Sequence, residues 1–193
     1  MPSKGNMMFK NKRSVSSLAT VTAAFLISTA TAQEQVTIGA VEMPAANNSA
    51  AFKEVKKRLG RWEGMMRQSI SDRDIPVSYE LKLTSGGNTI VETLVEDGIE
   101  MLTTYTDKGG ELVVTHYCSL GTEPIFEVAE MSDGALTVRL DEKANNFHAG
   151  HDSYVTEMKW VFDADDPNVL VNTGKIHMEG EVVENYAKLT RVN

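Results

Sequence analysis

Val77-Ser78-Tyr79-Glu80-Leu81-Lys82-Leu83-Thr84, then Ser85-Gly86-Gly87-Asn88, then Thr89-Ile90-Val91-Glu92-Thr93-Leu94-Val95-Glu96: reading this stretch decides the fold. In its first part Val77, Tyr79, Leu81 and Leu83 alternate with Ser78, Glu80, Lys82 and Thr84. Successive side chains of a strand point to opposite faces, so the alternation describes a strand with one apolar and one polar face. Ser85-Gly86-Gly87-Asn88 carries the residues of a tight turn, and Asp97-Gly98 after Glu96 is a second hairpin signal. Two strands and two turns thus occupy about twenty residues, the rhythm of an antiparallel meander.

The rhythm continues in both directions. Upstream, Arg61–Ile70 reads as a strand and Ser71-Asp72-Arg73-Asp74 as its turn. Downstream come Ile99–Thr106, Glu111–Cys118, Pro124–Met131, Ala135–Asp141, Ser153–Asp163, Val169–Gly180 and Val182–Val192, most of them joined by short turns. In Ser153–Asp163 the pattern expects Tyr154, Thr156, Met158, Trp160 and Phe162 on one face. About ten strands with no long helical crossover exclude a parallel α/β sheet. A two-sheet sandwich needs more long connections than the sequence offers. The expected fold is all-β, an antiparallel up-and-down barrel whose closure leaves no free edge.

One short helix precedes the strands. Phe52, Val55 and Leu59 form an apolar stripe over Ser49–Leu59, with Asn48 or Ser49 to cap it, Lys56, Lys57 and Arg58 crowding its last turn, and Gly60 to end it. Such a helix is too short to stand alone but can close one end of a barrel. Gln33–Asn48 has no sustained period and reads as a flexible or loosely docked leader. Residues 1–32 read as a cleavable signal peptide: Lys4, Lys10, Lys12 and Arg13, the uncharged run Ser17–Thr29, and Ala30-Thr31-Ala32 before Gln33. The expected organisation is signal peptide 1–32, leader 33–48 and barrel domain 49–193. The expected location is periplasmic or secreted, with no stable membrane anchor after cleavage.

Of the 193 residues, 19 are Lys or Arg and 27 Asp or Glu, a net charge of −8. Residues 1–32 hold four of the cations and no acid, so the rest of the chain is more acidic still. That charge excludes general affinity for nucleic acid. A single cysteine, Cys118, excludes an intrachain disulfide.

Leu59-Gly60-Arg61-Trp62-Glu63-Gly64 directly follows the helix, and Arg191 stands near the C-terminus. This arrangement resembles the calycin barrels (lipocalins, fatty-acid-binding proteins, nitrobindins), which place Gly-x-Trp at the start of the first strand. Thr115-His116-Tyr117-Cys118 with Pro124 is similar to a run in uncharacterised bacterial exported calycin-like proteins. The resemblance covers residues 50–193 and implies a cup-shaped barrel. It gives Gly60, Trp62 and Arg191 structural roles, with the Arg191 guanidinium stacked across the Trp62 indole.

Chemical motifs are sparse. His148-Ala149-Gly150-His151-Asp152 could offer metal ligands, but it lacks a protease helix and its glutamate, so no metal is assigned. Cys118 and His116 sit two apart on one strand, a spacing better suited to packing than to a nucleophile–base pair. Nitrobindins bind haem through a late histidine, which makes His177 a haem-ligand alternative; Lys175 and Glu179 on its face argue for the outside of the barrel. Met65, Met66, Met101, Met131, Met158 and Met178 recur along the strands and suit an adaptable apolar interior. The reading is therefore a binding barrel for a small apolar molecule, with no assigned cofactor and no catalytic residue. The candidate ligand contacts are His116, Tyr79, Tyr105, Met158, Trp160 and His151. An enzyme using a cavity histidine as acid or base is the alternative.

Overall fold

The structure is a computed structural model. It describes Met1, residues 36–178 and residues 180–192. The signal-peptide reading therefore falls, Met1 apart, outside the described residues.

Ten strands form the barrel: β3 Gly60–Gln68, β4 Arg73–Thr84, β5 Thr89–Glu96, β6 Ile99–Lys108, β7 Glu111–Tyr117, β8 Ile125–Ser132, β9 Ala135–Leu140, β10 Tyr154–Phe162, β11 Val169–Met178 and β12 Glu181–Val192. Two short strands, β1 Thr37–Ile38 and β2 Val41–Glu42, pair with each other ahead of it, so the leader has local order. Each barrel strand is antiparallel to the next in sequence, and β12 returns to β3 to close the ring. Every connection is a hairpin, which is why period-2 patterning with short turns was enough to specify the topology.

Alternation decides the two surfaces. Ile75, Val77, Tyr79 and Leu81 of β4 are buried inside, and Lys82 faces out. Leu83, which the pattern groups with them, is exposed where the strand runs out into its turn. In β10 the alternation breaks. A bulge lies between Val155 and Glu157, and an extra residue in a strand flips the face of everything before it. Val155, Met158 and Trp160 are buried as a result, whereas Tyr154 and Thr156 are only partly covered. The expected single face from Tyr154 to Phe162 is corrected accordingly.

Gly64 explains the tight β3–β12 seam. A Cβ there would stand 2.0 Å from the Lys188 carbonyl oxygen, so only glycine lets the two backbones approach. The seam is fastened beside it. Arg191 lies over Trp62, 4.1 Å from the ring centroid, and donates to the carbonyls of Leu59 and Lys57. The indole N–H of Trp62 donates to the Arg58 carbonyl at 2.8 Å.

The helix, α1, is Ala50–Lys56, shorter than the apolar stripe suggests. Ser49 caps it by accepting from the Phe52 N–H at 3.1 Å. From Lys57 to Leu59 the backbone bonds tighten to three-residue spacing. Phe52 and Val55 are fully buried. The turns Ser85–Asn88, Gly109–Gly110 and Asp133–Gly134 all lie at this end of the barrel. Asn48 donates to the Gly87 carbonyl at 3.0 Å, and Glu54 accepts from the Gly134 N–H at 3.0 Å. Arg58 departs from expectation: rather than sitting on a solvated last turn, it is 2% exposed and points inward.

Candidate functional site: a cup with a polar interior

Opposite the helix the barrel is open. A cavity of about 190 Å³ runs inward from that mouth. Its apolar wall is supplied by Met66, Leu94, Met101, Val155, Met158, Ile176 and Met178, and its polar wall by Tyr79, Glu92, Glu96, His116, Asn172 and Asn185. The methionines divide by strand phase: Met66, Met101, Met158 and Met178 line the cavity, while Met65 and Met131 are exposed on the outer surface.

The floor is aromatic. Trp160 meets Tyr105 edge to face at 5.9 Å. Beneath them lies the Arg58 guanidinium, 4.1 Å from the Trp160 ring centroid and 5.0 Å from that of Tyr105. Its terminal nitrogens have no hydrogen-bond partner among the described residues. A buried cation is tolerable there because two π-faces and the nearby Glu92 carboxylate lower its energy.

Above this floor, polar side chains occur in short linked sets. The Tyr105 O–H donates to Glu92 at 3.2 Å, and the Tyr79 O–H donates to Asn172 Oδ1 at 3.2 Å. Thr103 Oγ1 is 3.0 Å from His116 Nδ1, which leaves Nε2 as the ring's second polar atom. Burial holds the imidazole neutral by lowering its pKa to about 4. Burial raises Glu92, opposed by the charge of Arg58 and the hydrogen bond from Tyr105. Glu96 is raised to about 7, by burial first and by Glu92 second. Burial likewise raises the Cys118 thiol. A neutral imidazole beside a thiol of raised pKa is the reverse of a thiolate–imidazolium pair, so this couple is not built for nucleophilic attack.

The sequence-derived candidates divide clearly. His116, Tyr79, Met158 and Trp160 line the cavity, and Tyr105 packs beneath it. His151 does not belong with them. It lies on an exposed turn, its Nδ1 3.1 Å from Asp152, because the connection Asp141–Ser153 folds over the outside of the barrel. His177 is outside as well. Its Nε2 is 2.8 Å from the Ala149 carbonyl and its ring stacks on Tyr154 at 5.2 Å, while its neighbours Ile176 and Met178 face the cavity. The haem-ligand alternative fails on that strand phase.

Sequence reasoning missed Glu92, Glu96, Arg58, Asn172 and Asn185. For the two carboxylates a signal was present. Ile90, Glu92, Leu94 and Glu96 occupy one phase of β5, and an acid on the core phase of a strand is an exception to ordinary patterning. Arg58 gave none, since a basic residue closing a helix normally faces water.

No family model matches the chain, and no curated protein matches it. Among solved structures, the barrel is similar to a Nostoc punctiforme protein of unknown function from the DUF3598 family. That likeness has a TM-score of 0.51 at 14% identity, over 72% of this chain and 49% of the other. The chain thus spans about half the length of that protein. It is a likeness of fold. Weaker likenesses are to the protein EF1p2_mFAP2b bound to DFHBI (TM-score 0.38, 12% identity, 74% of this chain and 100% of that one) and to a de novo designed fluorescence-activating β-barrel (0.33, 13%, 71% and 95%).

Proposed function

We propose that the chain is an exported, calycin-like binding barrel that holds a small, mainly apolar molecule in the cup. The observation that carries this reading is the cavity itself. It is open at one end, plugged at the other, walled by methionine and aliphatic side chains, and supplied with a few convergent polar groups. Adaptable apolar walls provide affinity by burial, and isolated polar atoms orient the guest. His116 is placed to orient: it is buried and neutral, with one ring nitrogen engaged by Thr103 and the other available. A neutral imidazole can donate or accept, so it suits a hydroxyl, carbonyl or amine on the guest.

Two fluorescent probes test this, one purely hydrocarbon and one of the same body bearing a hydrogen-bonding head group. Both should bind the wild-type protein. His116→Ala should weaken the second by about 1–3 kcal/mol, the cost of an unpaired polar group, and spare the first. Equal losses would mean that the substitution disturbs the fold, and no loss in either would remove His116 from the site. Native mass spectrometry of protein purified from the periplasm should show a co-purifying small molecule, and an empty barrel in every preparation would count against the reading.

A further inference from the structure

The polar side of the cavity carries two carboxyl groups, Glu92 and Glu96, and no cationic side chain. Glu96 lines the mouth half of the cup, and its carboxyl group has no ion pair with, or hydrogen bond from, any described residue. Asn185 lines the same cavity with its Oδ1 buried and unpartnered. Glu92 lies deeper, 3% exposed, with the Tyr105 hydroxyl donating to it and the charge of Arg58 behind it. No lysine or arginine is among the lining residues, and the lining histidine is neutral. The two carboxylates are therefore in different states. Glu92 has an internal counter-charge; Glu96 has none, and the groups that face it are themselves acids: Glu92 on its own strand, Tyr79 on β4 and Cys118 after β7.

A half-buried carboxyl without a counter-charge and a buried amide oxygen without a partner define what would complete the site. A carboxylate guest would bring like charge against Glu96 and Glu92. A neutral guest would leave Glu96 without a counter-charge. We infer that the cup selects an apolar molecule bearing a protonated amine, whose N–H groups reach Glu96 and Asn185 while its hydrocarbon body lies against Met101, Met158 and Trp160. The inference rests on the small-molecule reading above and narrows it to one ligand class. Charge-assisted hydrogen bonds to a partly dehydrated carboxylate are the stronger kind, and an aromatic wall tolerates an ammonium at its face.

The test uses three probes of one body, naphthylmethylamine, naphthylmethanol and naphthoate, titrated calorimetrically into the wild-type protein and into Glu96→Gln. At about pH 8 the amine should bind the wild type about tenfold more tightly than the alcohol, equivalent to about 1.4 kcal/mol, with naphthoate weakest. Glu96→Gln should bring amine and alcohol to equal affinity without weakening the alcohol. The ammonium stays protonated as the pH is lowered, so the wild-type preference should shrink as Glu96 takes up its proton near pH 7. This last readout needs no variant and decides the matter if Glu96→Gln fails to fold. An alcohol that binds as well as the amine, a preference that survives Glu96→Gln, or a preference that does not change with pH would overturn the inference while leaving the binding barrel standing. Failure of all three probes to bind would overturn both.

Discussion

Replacing Glu96 with glutamine removes a carboxyl group whose pKa the fold raises from 4.5 to about 7. Replacing His116 with glutamine removes an imidazole whose pKa the fold lowers from 6.5 to about 4. The two act on stability with opposite signs. Between pH 4.5 and 7 the native state keeps the Glu96 proton and the unfolded chain releases it. The stabilisation from that proton is fully present below the unfolded pKa and is lost as pH rises through the folded one. Between pH 4 and 6.5 the unfolded chain takes up a proton on His116 and the native state does not. The stabilisation from the neutral ring is fully present above the unfolded pKa and is lost as pH falls through the folded one. At about 1.4 kcal/mol per decade of proton affinity, each effect comes to about 3–4 kcal/mol, and water at the cavity mouth brings it to about 2–3 kcal/mol. Where the windows overlap the two largely cancel in the wild type. Glu96→Gln should therefore stabilise the protein increasingly as pH rises from about 4.5 to 7, by up to about 2–3 kcal/mol. His116→Gln should do the reverse, with its gain largest near pH 4 and fading toward pH 6.5. Urea denaturation at a series of pH values, with each variant subtracted from wild type, isolates the effect from the surface carboxylates common to all three proteins. A Glu96→Gln difference that is flat across this window, or that falls as pH rises, would refute the desolvation argument on which the polar cavity rests.

Other consequences concern closure and export. Trp62→Ala should cost about 3–5 kcal/mol in denaturant, because it empties a fully buried indole site. Arg191→Ala should cost about 1–2 kcal/mol through the lost stacking on Trp62, and a cost equal to that of the tryptophan would mean that Arg191 does more than fasten the seam. Gly64→Ala should be at least as damaging as Trp62→Ala, since its methyl group would meet the Lys188 carbonyl at 2.0 Å; a wild-type melting temperature would contradict the close approach of β3 and β12. Export should yield a mature chain beginning at Gln33, checked by N-terminal sequencing, and a secreted form retaining Lys10 would sink the signal-peptide assignment.

How much of this was legible beforehand differs from residue to residue. Val77 to Thr84 alternate so regularly that strand, face and turn follow from the chemistry of neighbouring residues alone. Ten such segments with short links leave little choice but a closed meander, and Gly60, Trp62 and Arg191 stood out through a family pattern. His116 could be singled out as a polar residue on an apolar strand. Its companions could not, since the cavity joins residues distant in sequence: Glu96 on β5, Asn185 on β12 and Asn172 on β11 share one space only after the ring closes. Glu92 and Glu96 stood on the inward phase of their strand, yet an isolated strand does not reveal that Glu92 meets the charge of Arg58 while Glu96 meets no cation among the described residues. Nor could local pattern find the bulge that turns Val155 inward, or the final tightened turn that sends Arg58 beneath Trp160. Alternation, turn chemistry and charge determine which side of a strand meets water, and those are properties of the sequence by itself. Which polar groups become neighbours inside the barrel, and which are left without a partner, depends on strand register and on the positions of bulges. These arise from packing between distant segments, so only the tertiary structure decides them.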